Sequence, residues 1–128
     1  MEKHNEGMNY YIQQQFGYYN TSTVVEIKMP AVTRAMVDDP LQNSEIYKDL
    51  TEELCKIGAI KSLIFPKTQD QMQTTTVKAS AIGKAYIEFE EVNSSFTCYN
   101  LLNGKAFIGK PVEINFYSKD LYLTKSLS

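Results

Sequence analysis

One histidine and two cysteines in 128 residues are too few soft ligands for a convincing zinc site, and Cys55 and Cys98 stand far apart. Both cysteines fall inside predicted helices and are expected to be small core residues in a reducing compartment. No apolar run approaches the roughly 20 residues needed to span a bilayer. The opening Met1-Glu2-Lys3-His4-Asn5-Glu6 carries no apolar signal core, so neither membrane insertion nor export is expected. Positive charge is also in short supply. The net charge is −2, whereas a dedicated nucleic-acid binder usually carries a basic face that neutralises phosphates. No nucleophile with its base, no metal cluster and no phosphate-cradling loop is visible, and Gly104 and Gly109 read as turn glycines. The chain is therefore expected to be a non-enzyme with no cofactor, no metal and no small-molecule substrate.

What is present suits one domain with a tail: 43% of residues are hydrophobic and 22% charged, ordinary values for a globular chain. Residues 1–22 are polar and aromatic (Tyr10, Tyr11, Phe16, Tyr18, Tyr19) without clean periodicity, and read as a tail or linker. The domain proper is expected over 23–128. Thr23 to Met29 alternates as a half-buried strand, with Val25, Ile27 and Met29 on one side. Asp38-Asp39-Pro40 reads as a turn. Ser44 to Ile57 reads as a helix with Ile46, Leu50, Leu54 and Ile57 in one stripe, capped by Asn43 or Ser44 and stopped by Gly58. Ile60 to Phe65 is a second strand, and the Thr/Gln-rich stretch Lys67 to Ile82 is expected to be a long loop. Lys84 to Glu90 alternates again. Val92 to Leu102 is a helix presenting Phe96, Tyr99 and Cys98 inward. Pro111 to Tyr117 is the fourth strand, and Ser118 can cap a short helix through Leu121 and Tyr122.

The order β-α-β-β-α-β with a terminal helix predicts an α+β ferredoxin-like sandwich: a four-stranded antiparallel sheet, two helices on one face, and an extra C-terminal helix. This is the architecture of the RNA recognition motif (RRM), which stacks bases on aromatics of its central strands. Here the outward residues are Glu26 and Lys28, then Lys84, Tyr86 and Glu88, then Glu113 and Asn115. Lys28, Lys84 and Tyr86 are the candidates for an RNA-facing sheet. Only Tyr86 can stack a base, and the face carries a net negative charge, so Tyr86 is expected to lie beneath the terminal helix.

On the first helix Glu45, Asp49 and Glu53 recur every four residues on one face. Like charges at this spacing cost a helix about 0.2–0.5 kcal/mol per pair. Taken alone such a row is a solvated surface, and Glu52 with Lys56 is an ordinary surface pair. The row gains interest from Gly104-Lys105-Ala106-Phe107, in the turn between the last helix and the last strand. Phe107 reads either as the start of a short strand on the core edge or as a ring exposed beside the first helix. A ring with a lysine stem can sandwich a planar side chain, and nearby carboxylates attract flanking Arg or Lys. Lys105 is expected to pair with Glu53 and fix the loop.

Four stretches together resemble a subclass of RRM, the U2AF homology motif (UHM), over about residues 23–122. They are the acidic helix from Ser44 to Glu53 running on to Lys56-Ile57-Gly58-Ala59-Ile60-Lys61-Ser62; Gly83-Lys84-Ala85-Tyr86-Ile87-Glu88-Phe89; Gly104-Lys105-Ala106-Phe107, the counterpart of the family's Arg-X-Phe loop; and Tyr117-Ser118-Lys119-Asp120-Leu121-Tyr122. The resemblance implies a nuclear peptide-recognition module of pre-mRNA splicing, whose ligands are a Trp preceded by several Arg or Lys. Carried over by position, Phe107 with Lys105 and Ala106 would receive the Trp, and Glu45, Asp49 and Glu53 would meet the basic residues. The implied partners are the branch-point-binding protein and the large subunit of splicing factor three B, with RNA bound weakly or through other domains. The loop carries Lys105 where the family prefers Arg, whose flat guanidinium stacks and pairs differently. The chain contains no Trp, so the indole must come from elsewhere.

Overall fold

The computed structural model describes residues 22–128; the Tyr-rich tail expected over 1–22 lies, but for Ser22, outside the described residues. Four strands, β1 (Val24–Lys28), β2 (Ile60–Ile64), β3 (Lys84–Phe89) and, later in the chain, β6 (Glu113–Tyr117), form one sheet in the order β2-β3-β1-β6. All three pairings are antiparallel. Between β3 and β6 lies a two-stranded hairpin, β4 (Ala106–Phe107) with β5 (Lys110–Pro111). The helices are α1 (Arg34–Asp38), α2 (Pro40–Cys55), α3 (Thr68–Gln73), α4 (Val92–Leu102) and α5 (Lys119–Leu123).

The main core lies between the sheet and the long helices. Val25 and Ile27 of β1, Ala85, Ile87 and Phe89 of β3 and Ile114 of β6 pack with Ile46, Leu50 and Leu54 of α2 and Cys98 of α4. These are the positions that strand alternation and the three-to-four helical spacing put on the inner side. The sandwich expected from the element order is therefore the one observed.

Part of the other face of the sheet is also covered. Val24, Tyr86, Tyr122, Val77, Ala81 and Leu127 form a second buried cluster, flanked by Ile64 and Tyr117. Beyond α5 the chain turns back over the sheet. Leu127 donates its N–H to the Thr76 carbonyl at 2.9 Å, and Lys78 N–H reaches the Leu127 carbonyl at 2.8 Å. Val24 and Val25 are both fully buried because β1 is central and covered on each side.

Several local expectations are corrected. The stretch from Lys67 to Ile82 is not a long loop: it contains α3 and a 3-10 turn at Ala79–Ala81. The α3 helix shows no apolar stripe. It is held instead by polar contacts, with Asp70 accepting from Lys67 N–H at 2.8 Å and Thr68 Oγ1 donating to Asp38 at 2.6 Å. The α2 helix starts at Pro40, not Ser44, because Asp39 caps it and proline suits the first turn. Asn43 donates to the Val37 carbonyl instead of capping. The last main strand begins at Glu113 because Pro111 belongs to the hairpin. Cys98 is buried as expected, whereas Cys55 is exposed at the end of α2.

Candidate peptide-binding pocket

The sequence places an aromatic ring just after α4, and the backbone fixes where it goes. At the end of α4, Gly104 adopts φ 85°, and its N–H reaches the Val112 carbonyl at 2.8 Å. Lys105 and Val112 continue the ladder through the Val112 N–H at 2.8 Å, and Asn103 Oδ1 accepts from Ile114 N–H at 2.9 Å. The hairpin is thus tied to both α4 and β6. Its two-residue turn is Ile108-Gly109, with φ 54° and 85°. Two successive positive φ values mark the primed hairpin turn, which Asn-Gly fills most easily. An L-residue in this region costs about 1–2 kcal/mol.

So held, the hairpin closes a cavity of about 160 Å³ against α2. Its floor is apolar: Ile27 and Met29 from β1, Leu50 and Leu54 from α2, Leu102 from α4, and Val112. Its rim carries Asp49 and Glu53 on the α2 side and Lys105, Ala106 and Phe107 on the hairpin side. Phe107 is half-buried, packed on the edge of the main core while bordering the cavity. Of the two sequence readings, the short strand on the core edge is observed, and the ring lies beside the first helix only partly exposed.

Five of the six residues expected at the pocket therefore line one cavity. The sixth, Glu45, is exposed one helical turn before Asp49 and outside the lining. The expected tie between Lys105 and Glu53 is not formed. Glu53 pairs with Lys56 at 3.5 Å, both side chains being exposed, because an i, i+3 partner on its own helix is nearer than the hairpin. The same pair replaces the expected Glu52–Lys56 contact. The floor residues Leu50, Leu54 and Ile27 were legible as inward positions, and no signal marked them as lining a cavity. Ile108 was not singled out at all.

The sheet residues considered for RNA have a different setting. Lys28 is exposed. Lys84 lies 3.4 Å from the carboxylate of Glu26 and donates to the main-chain oxygen of Ser128 at 3.1 Å. Tyr86 is fully buried and packs edge-on against Tyr117, the ring centroids being 5.0 Å apart. Burial, and then the negative charge of Glu26, push its hydroxyl far above the ordinary tyrosine pKa. Tyr86 therefore presents no ring to solvent, and its cover comes from Leu127 and the 76–81 segment as well as Tyr122 of α5. A larger hollow of about 470 Å³ lies beside that cover, lined by mixed groups such as Thr74, Thr76, Lys125 and Leu127. It lacks the combination of apolar floor, aromatic wall and carboxylate rim found at Phe107.

No family model matches the chain. The chain is 27% identical over 99 residues to the B form of the splicing factor U2af large subunit from Nicotiana plumbaginifolia, a match covering 74% of this chain and 17% of that protein. It is 26% identical over 102 residues to the B form from Arabidopsis thaliana, covering 80% and 17%. It is also 32% identical over 89 residues to the human serine/threonine-protein kinase Kist, covering 66% and 19%. The chain thus spans less than one fifth of the length of these relatives. A solved structure of the RRM3 domain of Gbp2 aligns with a TM-score of 0.46 and 18% identity over 73% of each chain.

Strand order, helix placement and these relatives define an RRM of the kind found in splicing factors. More closely, the chain is an RRM/UHM-like domain homologous to part of the U2AF large subunit.

Proposed function

We propose that this domain is a protein-interaction module of a nuclear pre-mRNA splicing factor, binding linear peptides in which a Trp follows several basic residues. The observation that carries the reading is the Phe107 ring at the edge of an apolar hollow whose other rim bears Asp49 and Glu53. An indole entering there would cover apolar floor and meet the aromatic ring. Arg or Lys preceding it would meet carboxylates at the cavity mouth. The domain then works by recognition, without a catalytic step of its own. Its partners would be segments of the type carried by the branch-point-binding protein or the splicing factor three B large subunit. RNA would be engaged weakly or by other parts of a longer protein, because the aromatic of this sheet is covered and the face carries Glu26, Glu88 and Glu113.

The test is a pair of titrations, one with a basic peptide ending in Trp and one with a pyrimidine-rich RNA. The peptide is expected to bind the wild type, and Phe107→Ala to weaken it at least tenfold while the far-ultraviolet circular dichroism stays native. Equal binding by wild type and Phe107→Ala would remove the pocket from the account. Tight RNA binding abolished by Tyr86→Ala would replace it with the sheet.

A further inference from the structure

After α5 the chain reverses in a tight turn. Lys125 N–H donates to the Tyr122 carbonyl at 2.9 Å, and Ser126 N–H to the Leu121 carbonyl at 2.8 Å. This is the Schellman pattern, in which the residue just past the cap is left-handed and is most often glycine. Here that residue is Lys125, with φ 55°. A side chain strains this conformation. Continuing α5 through Lys125 would relieve the strain and carry the strap, residues 126–128, off the sheet. What holds the strap down has the form of peptide recognition. Tyr117 donates its hydroxyl to the main-chain oxygen of Ser126 at 2.6 Å. Leu127 pairs through its N–H with Thr76 at 2.9 Å and through its carbonyl with Lys78 at 2.8 Å, as a parallel bridge beside Val77. Tyr86 and Lys84 both donate to the main-chain oxygen of Ser128, at 3.0 and 3.1 Å. These contacts fall on main-chain atoms of the strap and do not depend on its sequence. One side chain supplies identity: Leu127 is 1% exposed and lies among Val24, Val77, Ala81, Tyr86 and Tyr122.

We propose that this face of the sheet is a second peptide groove, filled by the strap in cis, and that its partner in trans is an extended segment of another protein with a leucine at the Leu127 position. The groove is separate from the hollow at Phe107 and does not rest on that reading. Main-chain pairing joined to a pocket for one side chain is how extended peptides are commonly held. The strap shows what a competitor must match: an extended backbone, free carbonyls on either side of the anchor, and the leucine itself. It also leaves its groove unfilled, since the hollow of about 470 Å³ is bordered by Ile64, Thr74 and Thr76 and by Lys125 and Leu127 of the chain's own end segment. Being tethered, the strap acts at a high local concentration. A partner therefore gains access in proportion to the fraction of chains with the hinge open. RNA is the poorer occupant, because Glu26 and Glu88 are buried in the same sheet and repel phosphate.

A peptide copying residues 123–128, titrated into the whole chain and followed by NMR, tests this. Leu127→Ala loosens the strap and is expected to bind the peptide at least tenfold more tightly than wild type does. Alanine in place of the peptide leucine that copies Leu127 should abolish the gain. Adding Lys125→Gly, which suits the left-handed turn and favours closure, should weaken binding to Leu127→Ala about fivefold. A merely structural cover gives neither binding in trans nor that response to the hinge. Absence of peptide binding by folded Leu127→Ala overturns the proposal, as does equal binding of the two peptides. So does a Leu127→Ala chain that takes a pyrimidine-rich RNA and not the peptide. Where Leu127→Ala does not fold, hydrogen exchange in wild type decides. The amides of Leu127 and Lys78 are expected to exchange at least tenfold faster than that of Ile87 in β3, as a locally opening segment does. Equal protection overturns the hinge and the groove with it. Each of these results leaves the reading of Phe107 untouched.

Discussion

The hydroxyl of Tyr86 donates to the main-chain oxygen of Ser128 at 3.0 Å, across 42 positions of sequence. The ring best placed to stack a base is thereby turned into an anchor for the chain's last described residues. Tyr117 does the same for Ser126 at 2.6 Å. Leu127, between them, is 1% exposed. On the face that an RRM of the usual kind offers to RNA, the aromatic of the central strand is here covered, while Lys28, Glu113 and Asn115 stay exposed.

Leu127 should accordingly behave as a core residue. Leu127→Ala is expected to cost about 3 kcal/mol, within the usual range for a buried leucine. Urea denaturation checks this. A loss below about 0.5 kcal/mol, the scale of ordinary surface substitutions, would mean that the terminal strap does not hold the sheet.

The row of carboxylates should act unequally. Asp49 and Glu53 line the cavity and Glu45 does not. Charge reversal at either of the first two is expected to weaken a basic Trp peptide about tenfold, and Glu45→Lys by less. Binding by wild type should fall as salt rises, because the rim is exposed to screening. Calorimetric titrations at two salt concentrations would measure both effects. Identical losses at all three positions would indicate a diffuse field, not a defined rim.

On the peptide reading, Lys56 would compete with a basic ligand for Glu53, the two being 3.5 Å apart. An exposed pair of this kind contributes about 0.2–1 kcal/mol. Lys56→Gln is therefore expected to tighten the peptide by up to about fivefold. The gain should vanish in a Glu53→Gln background, because the carboxylate being released is then gone. A gain of equal size in both backgrounds would assign the effect to overall charge.

Alkaline pH should loosen the domain through its buried acids. Burial pushes the Cys98 thiol from 9.0 up to about 12. Between those values the folded chain keeps a proton that the unfolded chain releases. Stability is thus fully present below about pH 9 and declines as pH rises toward 12, by at most about 1.4 kcal/mol per pH unit for one group. Tyr86 and Tyr122, also raised chiefly by burial, add to the decline above their ordinary value near 10. Urea midpoints measured from pH 8 to 10 should fall in wild type and stay flatter in Cys98→Ala.

Much of this was legible in the sequence where periodicity ran long enough. The α4 helix appears at Val92–Leu102 as read, and the alternation in β1 and β3 assigns the inner face correctly. Elements without a periodic signal were missed. The α3 helix has a single apolar residue, the exposed Met72, and depends on Asp38, distant in sequence, and strands of two residues such as β4 carry no alternation at all. At the candidate site, the acidic row and Phe107 were visible as residue types at known spacings. The partner of Glu53 was not, because an exposed lysine is free to choose among near neighbours. The second core was half visible: Tyr86 was expected to be covered, but Val77 and Leu127 are lone apolar residues in polar surroundings, and only the folded chain brings them together.

Gly58 follows the last turn of α2, and a side chain there would collide with the hydroxyl and Cβ of Ser94 in the first turn of α4. Bare backbone thus sets how closely the two segments meet. Asp49, Glu53 and Leu102 ride on those same helices, so the aperture of the hollow is calibrated from a joint that no ligand would touch. A methyl group at position 58 would be a wedge in that joint, shifting the walls of the hollow while leaving every residue that lines it in place.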